Sequence, residues 1–456
     1  MIARSVCLGE GRSAPKHMAD TVLVVGGGGR EHAIATAIRG ALDPDDPRAS
    51  DVELVACAKQ GNPGIERVSD AFEQLDPSRP DEVLDYAESV EADIVAVGGE
   101  GPLLSGLIES LDDADVYGFG PQTDHARIVC DIAETREVMD ANDIPGRPEF
   151  STFEDAEGAC EYLEDRDEDL VVRPGGVSAR EDTLLVGADM TIDQAMDAIR
   201  ESDHDEFIIE EHFVGEEFSL QAFVANGEIR VTPAVRAYSR LEEGGTGPRT
   251  AGMGSYSSPD LELPFMDEDD FFDAVEILYR MCRAMEGYRG VLTGQFILTA
   301  NGVRLLSFDP TLGDPEAMNM LSIMNTPLLD FLESAAADES LPQLSFAPRA
   351  TVCRYIVPEG YPNASKDGIE VRVDDSDWEE SMCFYGSIEE RDDQLLSTDD
   401  RTLAVLGMGE TIEEAAERTD EAIDQLDIEA FHVRRDIGSS SLLEEAVDHV
   451  ADLRAD

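Results

Sequence analysis

The sequence predicts a multidomain chain of α/β and α+β class, with a doubly wound parallel sheet first, an antiparallel sheet flanked by helices next, and a small sheet-and-helix domain last. Three observations support this. Over residues 21–122 apolar strand signals alternate with helical patterns, the order expected of parallel strands joined by helical crossovers. In the middle, Asn226-Gly227 and Asn301-Gly302 each stand between two apolar runs, as in a tight antiparallel hairpin. The length of 456 residues exceeds what one core accommodates, so roughly two to four domains are expected.

Residues 1–20 hold no apolar stretch long enough for a secretory signal. Met18 stands directly before the first strand, so this segment is expected to be a disordered extension or a mis-assigned start. Residues 21–35, TVLVVGGGGREHAIA, read as a buried strand entering a helix through four glycines. Such a corner lets backbone N–H groups approach an anion, and the helix N-terminus favours negative charge there. The alternative is a plain strand-to-helix turn, and Arg30 favours the phosphate. Strand signals recur at 52–57, 94–97 and 116–119, with helices around 81–90 and 103–113. Gly61-Asn62-Pro63-Gly64 and the stretch 98–103 fall at strand ends, where ligands sit in such sheets.

A helix is expected over 123–142 and an extended linker over 145–150. Residues 170–186, LVVRPGGVSAREDTLLV, read as a hairpin with a mobile tip of small residues, Pro174, Gly175, Gly176, Ser178 and Ala179. A tip of that kind closes over a phosphate when it brings backbone N–H groups and ammonium groups to the anion. This one carries Arg173 and Arg180, followed by Glu181 and Asp182. A helix over 192–201 and a strand over 207–211 follow, then the two Asn-Gly hairpins. A Pro-containing linker at 342–348 precedes strands at 350–357, 381–387 and 402–407 and an amphipathic helix at 413–426. The expected domains are 21–122, 123–345 with a mobile subdomain at about 150–212, and 346–456.

Against 100 acidic residues stand 34 basic ones, of which only Lys16, Lys59 and Lys366 are lysine, giving a formal net charge of −66. Spread along a chain that is 42% hydrophobic, that surplus indicates an acid-coated surface adapted to salt. At about 1 M the screening length is only about 3 Å, which damps self-repulsion. Intrinsic disorder is the rival explanation, and periodic structure throughout speaks against it. Nucleic acid is excluded as a partner because its phosphates would be repelled. The longest apolar runs, such as 22–25, are strand-length and far short of the roughly 20 residues of a membrane helix. Seven scattered cysteines without a C-x-x-C pair indicate neither a disulfide framework nor a zinc site, so a reducing cytoplasm is expected.

Residues 22–35, Gly61-Asn62-Pro63-Gly64, 119–122, Glu210-Glu211, Gly215-Glu216-Glu217, Gly252-Met253-Gly254-Ser255-Tyr256, Gly313-Asp314-Pro315-Glu316 and Arg435-Asp436-Ile437-Gly438 together resemble phosphoribosylamine–glycine ligase. That family is the glycinamide ribonucleotide synthetase of de novo purine biosynthesis. The resemblance runs in order from residue 21 to about residue 456. It implies an ATP-grasp architecture with a Rossmann-like N-domain, two ATP-clasping subdomains and a small C-terminal domain. The implied substrates are glycine and 5-phosphoribosylamine and the implied cofactors ATP and magnesium or manganese; a monomer is expected. Carried onto this sequence, Gly28, Gly29, Arg30, Glu31, Asn62, Gly313, Asp314, Pro315 and Glu316 would face substrate. Arg173, Arg180, Glu210, Glu211 and Glu217 would face ATP, and Asp309 with Ser307 the metal.

The sequence also departs from the family strings. In V-K-x-x-G-L-x-x-G-K-G-V the two lysines fall on Arg173 and Glu181, and in E-F-N-x-R-F-G-D-P-E the glutamate falls on Ser307 and the asparagine on Asp309. D-H-K-R becomes Ala237-Tyr238-Ser239-Arg240, and the asparagine of G-P-N-T-G-G-M-G becomes Arg249. Ile132 occupies a further lysine position. No lysine lies between Lys59 and Lys366, so no neighbouring ammonium takes over. Each lost charge-assisted bond removes about 1.5–3 kcal/mol from phosphate binding. Two expectations follow: an ATP-dependent ligase, or a paralogue of that ligase that binds a sugar phosphate or a partner protein without transferring phosphate.

Overall fold

The computed structural model describes residues 19–40, 52–164, 166, 169–177, 183–376, 378–392 and 394–455. The expected N-terminal extension through Met18 and the hairpin tip Ser178, Ala179, Arg180, Glu181 and Asp182 lie outside the described residues.

The first sheet is all parallel and five-stranded: β1 (Thr21–Val25), β2 (Glu53–Ala58), β3 (Ala71–Gln74), β4 (Ile94–Val97) and β5 (Tyr117–Phe119), in the order β3-β2-β1-β4-β5. Chain order reverses on either side of β1, whose residues Val22 to Val25 are wholly buried. This is the doubly wound sheet that the alternation predicted. Strand β3 was not anticipated, because AFEQ at an exposed edge shows neither an apolar run nor alternation. The helix expected over 103–113 is two helices, Glu100–Leu104 and Leu107–Asp113, broken at Gly106 with φ +87°. The helix expected over 123–142 is likewise two, Thr123–Cys130 and Ile132–Ala141. Asp131 separates them by accepting the backbone N–H groups of Ala133 and Glu134, so a capping carboxylate restarts the helix within an apparently continuous pattern.

A four-stranded sheet follows, β6 (Phe150–Phe153), β7 (Leu170–Pro174), β8 (Leu184–Val186) and β9 (Phe207–Glu211), ordered β6-β9-β7-β8. Strands β7 and β8 form the predicted hairpin, with Leu170 opposite Val186 and Val172 opposite Leu184. The expected linker runs into β6, which pairs with β9. This sheet and two helices enclose a small core of their own, including Leu163, Val172, Ile199 and Ile209.

Ten strands build the central sheet: β10 (Glu216–Ala225), β11 (Glu228–Val231), β12 (Val235–Glu242), β13 (Thr246–Ser257), β14 (Gly290–Thr299), β15 (Gly302–Asp309), β16 (Ala350–Pro358), β18 (Ser381–Tyr385), β21 (Leu403–Gly409) and β22 (Phe431–Val433). The short β17 (Glu370–Val371), β19 (Ile388–Arg391) and β20 (Gln394–Ser397) form a separate three-stranded sheet. Both Asn-Gly hairpins are present, as β10–β11 and β14–β15. The C-terminal strands, expected as part of a small sheet-and-helix domain, continue the central sheet: β16 pairs antiparallel with β13, Gly254 opposite Arg354. Strand pairing at such sequence separation leaves no local signal.

The N-domain is fastened to the C-terminal strands by two buried side chains. Asn62 caps the helix Pro63–Val68 through its Oδ1 and donates from Nδ2 to the carbonyls of Gly27, Tyr385 and Gly386. His32 Nδ1 accepts the Tyr385 N–H at 2.9 Å, so its ring is neutral with the proton on Nε2. Burial, helped by Arg67, lowers the His32 pKa to about 4. In the unfolded chain the imidazole protonates near 6.5. Between those values the unfolded chain binds a proton that the folded chain refuses, so this contribution is complete above pH 6.5 and is lost as pH falls toward 4. His32→Gln should therefore flatten the decline in unfolding free energy between about pH 7 and pH 4.5 by roughly 2–3 kcal/mol, read by urea titration. An unchanged slope would show that His32 is not a source of acid sensitivity.

Candidate active site

A cleft of about 430 Å³ opens where the N-domain, the hairpin sheet and the central sheet meet. Arg30, Arg173, Glu217, Ser307, Asp309, Gly313, Asp314, Pro315 and Glu316 all line it, so nine of the residues named from sequence converge. A narrower recess of about 100 Å³ continues from it, walled by Val171, Leu185, Ile297 and Leu305 with Glu210, Glu211 and His212. On the other side lies a chamber of about 420 Å³ against Gly28, Gly29, Lys59 and Ser387. Asp314 and Arg401 line both this chamber and the cleft.

The wall between them is a charge node. Strand β15 ends at Asp309, and the loop beyond it carries a cis peptide at Asp314–Pro315 before the helix Glu316–Ser322. Asp314 Oδ1 accepts from the Tyr355 hydroxyl at 2.7 Å, and Arg401 Nη2 donates to Oδ2 at 3.0 Å. Arg401 also donates to the carbonyl of Ala251 and lies 4.4 Å over the Tyr355 ring. Burial opposes the Arg401 charge, but Asp314, Tyr355 and Asp400 outweigh it and hold the pKa above the usual arginine value. Burial, reinforced by Asp314, raises Tyr355 well above an ordinary phenol, so it stays a neutral donor. Gly252, at φ +129°, permits the approach: a Cβ there would stand 3.1 Å from the Asp314 carbonyl.

The glycine corner is organised from within. Gly28 donates its N–H to Glu31 Oε2 at 2.7 Å, while Glu31 Oε1 takes Arg30 Nε at 2.8 Å. Arg30 Nη1 reaches Thr311 Oγ1 and the Leu312 carbonyl, tying the corner to the β15 loop. Glu31 and Asn62 line none of the three cavities; their side chains hold the corner and the domain junction. Glu316 is buried and accepts from Gln295, and the Gly313 N–H goes to Gln221.

Glu210 sits between two arginines. Arg136 Nε donates to Oε1 at 2.6 Å, and Arg173 Nε stands 3.1 Å from Oε2, with Arg136 and Glu210 only 1% and 2% exposed. Arg136 also donates to the Leu306 carbonyl, so the pair anchors the hairpin sheet to β15.

Asp309 and Ser307 are two residues apart on β15, opposite Thr293 and Gln295, and face the cleft with Glu217. Among the described residues no group of three or more His, Cys, Asp or Glu forms a ready metal cage. Magnesium keeps several waters and takes one or two carboxylates plus substrate phosphates, so this donor set fits an ion that arrives with a nucleotide. Sequence reading noted Arg249 only as a departure from a family string and did not single out Arg136, Lys59 or Arg401 for the site, which carry no local pattern and acquire meaning only from what the fold places opposite them.

A parallel-sheet N-domain, a small clasp sheet and a long antiparallel sheet framing one polar cleft define an ATP-grasp protein. Residues 133–317 match the family model described as Phosphoribosylglycinamide synthetase, ATP-grasp (A) domain, flanked by matches to its N domain at 20–128 and its C domain at 351–440. The chain is 38% identical over 452 residues to a phosphoribosylamine–glycine ligase of Methanopyrus kandleri, covering 95% of this chain and 99% of that one. With the corresponding protein of Methanocella arvoryzae it shares 37% over 444 residues, at 95% and 99% coverage. The chain belongs to the phosphoribosylamine–glycine ligase family. Its fold is similar to the crystal structure of that ligase from Thermotoga maritima, with TM-score 0.76 at 23% identity, covering 91% of this chain and 100% of that one. It is also similar to a biotin carboxylase from Campylobacter jejuni, with TM-score 0.70 at 12% identity and 94% and 96% coverage.

The buried pairing of Glu210 yields a direct expectation. Glu210→Gln leaves Arg136 charged and only half satisfied, and should lower unfolding free energy by roughly 3 kcal/mol in denaturant titrations. A change below about 0.5 kcal/mol would show that the clasp is not anchored by this pair.

Proposed function

We propose that the chain is an ATP-dependent ligase that joins glycine to 5-phosphoribosylamine in de novo purine biosynthesis. The observation that carries this reading is the shared wall: Asp314 and Arg401 border both the nucleotide-sized cleft and the chamber at the glycine corner. Two successive transfers need that adjacency. In the first, a glycine carboxylate oxygen bonds to the γ-phosphorus of ATP and ADP leaves. In the second, the amine of 5-phosphoribosylamine attacks the carbonyl carbon of the acyl phosphate, inorganic phosphate leaves, and the nitrogen loses a proton. Each step moves negative charge, so fixed positive charge and exclusion of water supply most of the acceleration.

In this reading the base enters the recess beside Glu210, Glu211 and His212, and the phosphates run past Arg173 toward Asp309. Arg180, which the family resemblance assigns to ATP, lies outside the described residues. A magnesium or manganese ion held by Asp309 and Ser307, with Glu217 alongside, would offset charge on the transferred phosphoryl group. The sugar phosphate would lie at Gly28 and Gly29, where the helix Gly29–Ile38 begins and Lys59 borders the same chamber. Arg30, Gly313, Pro315 and Glu316 shape the floor between the two reactants. The protein is further inferred to be a salt-adapted cytoplasmic monomer. Among the described residues no helix is long and apolar enough to cross a membrane.

The test is phosphate release in about 1 M potassium chloride with magnesium-ATP. Release that requires both glycine and 5-phosphoribosylamine is expected, with ligated product in equal amount. Nucleotide binding without any such release would favour the non-transferring paralogue, and absence of nucleotide binding would exclude the ligase.

A further inference from the structure

Six residues line both the cleft and the recess: Arg173, Thr183, Glu217, Arg249, Gln295 and Ser307. They form the throat between the two spaces. A ligand with its flat end in the recess and its reacting end at Asp309 threads it, and only two of the six side chains are cationic. Arg173 Nε faces the Glu210 carboxylate at 3.1 Å. Arg249 is different. Its Nε is shut off from solvent without a hydrogen-bond partner, and among the described residues its guanidinium makes no ion pair.

Arg249 lies on β13 directly opposite Arg240 of β12. Arg240 is committed, with Nη2 donating to Asp189 at 2.7 Å and Nη1 to the Gly247 carbonyl at 3.1 Å. The backbone beside Arg249 is fixed as well, because Thr250 Oγ1 donates to the Ser239 carbonyl at 2.7 Å and accepts the Gly252 N–H at 3.1 Å. A positioned guanidinium with a dry, unpartnered nitrogen is costly in a free protein, and buried polar groups of this kind are normally paired. Bordering both the cleft and the recess with no ion pair of its own, Arg249 is placed to take an anion there, and its planar fork suits the oxygens of a phosphate chain.

We propose that Arg249 receives the polyphosphate of the nucleotide, supplying from the central sheet a fixed positive charge in a clasp that contains no lysine. The inference rests on the ligase reading and adds to it the residue that discriminates phosphate number. It assigns Arg249 to substrate binding, where the sequence places an arginine in a string whose family counterpart carries asparagine.

The test compares ATP and AMP binding by calorimetry in about 1 M potassium chloride for the wild-type chain, Arg249→Gln and Arg249→Lys. Arg249→Gln is expected to weaken ATP by about 10- to 100-fold while AMP changes by less than about 2-fold, the loss appropriate to charge-assisted bonds. Arg249→Lys should recover most of the ATP affinity. In turnover, the KM for ATP should rise while that for glycine stays constant. A wild-type preference for ATP over AMP that survives in Arg249→Gln overturns the inference and leaves the ligase reading intact. Equal weakening of ATP and AMP overturns it too, since that marks a general structural defect, and urea unfolding of each variant identifies such a defect independently. Failure of the wild-type chain to bind ATP overturns both.

Discussion

The structure turns on one largely enclosed ion pair at the wall between two cavities, Asp314 with Arg401, at 16% and 12% side-chain exposure. Its guanidinium is held by a carboxylate from the central domain, by carbonyls of β13 and by the ring of Tyr355. Either charge left alone in this largely enclosed place would be costly, so the pair ties together the three segments that supply these groups. The N-domain is bound to the same place. A Cβ at Gly29 would stand 2.6 Å from the Tyr355 hydroxyl, so the first turn of its leading helix rests directly on the node. Continuous pairing from β13 into β16 carries that constraint through the C-terminal strands. The cleft and the glycine-corner chamber are two faces of one electrostatic knot.

Much of this was legible in the chain, and the parts that were not share a cause. Strands β1, β2 and β4 announce themselves by apolar runs, the β7–β8 hairpin by its small-residue loop, and the Asn-Gly turns by their requirement for positive φ. Residues 313–316 and 307–309 were recognisable as short strings, and the fold does place them in one cleft. What escaped depends on partners far away in sequence. Arg401 looks like any surface arginine until Asp314 is set beside it, and Arg136 lies in an ordinary amphipathic helix until Glu210 closes on it from 74 residues away. The helix breaks at Gly106 and Asp131 were misjudged because apolar periodicity continues across both. Glu31 and Asn62 were read toward ligand; the first caps the glycine corner and the second joins two domains, tasks for which the same residue types are equally suited.

The acid-rich composition has a counterpart inside the protein. Arg136, Arg354 and Arg434 are at most 1% exposed and are paired with Glu210, Asp420 and Asp436. Arginine suits this because its guanidinium is weakly hydrated and binds carboxylates through a fork, where a lysine would be a strongly hydrated point charge. Salt screens the exposed carboxylates, which lie in solvent, and acts far less on the Arg136–Glu210 pair, enclosed on both sides.

The most direct measurement is a double-mutant cycle on the node, combining Arg401→Met and Asp314→Asn and reading the unfolding free energy of each variant in about 1 M potassium chloride. If the three domains are locked by this pair, each single substitution costs roughly 3 kcal/mol or more and the double variant costs far less than their sum, with coupling of at least about 2 kcal/mol. Additive losses would contradict the account, because they would mean that Asp314 and Arg401 contribute independently and that the domains are held together elsewhere.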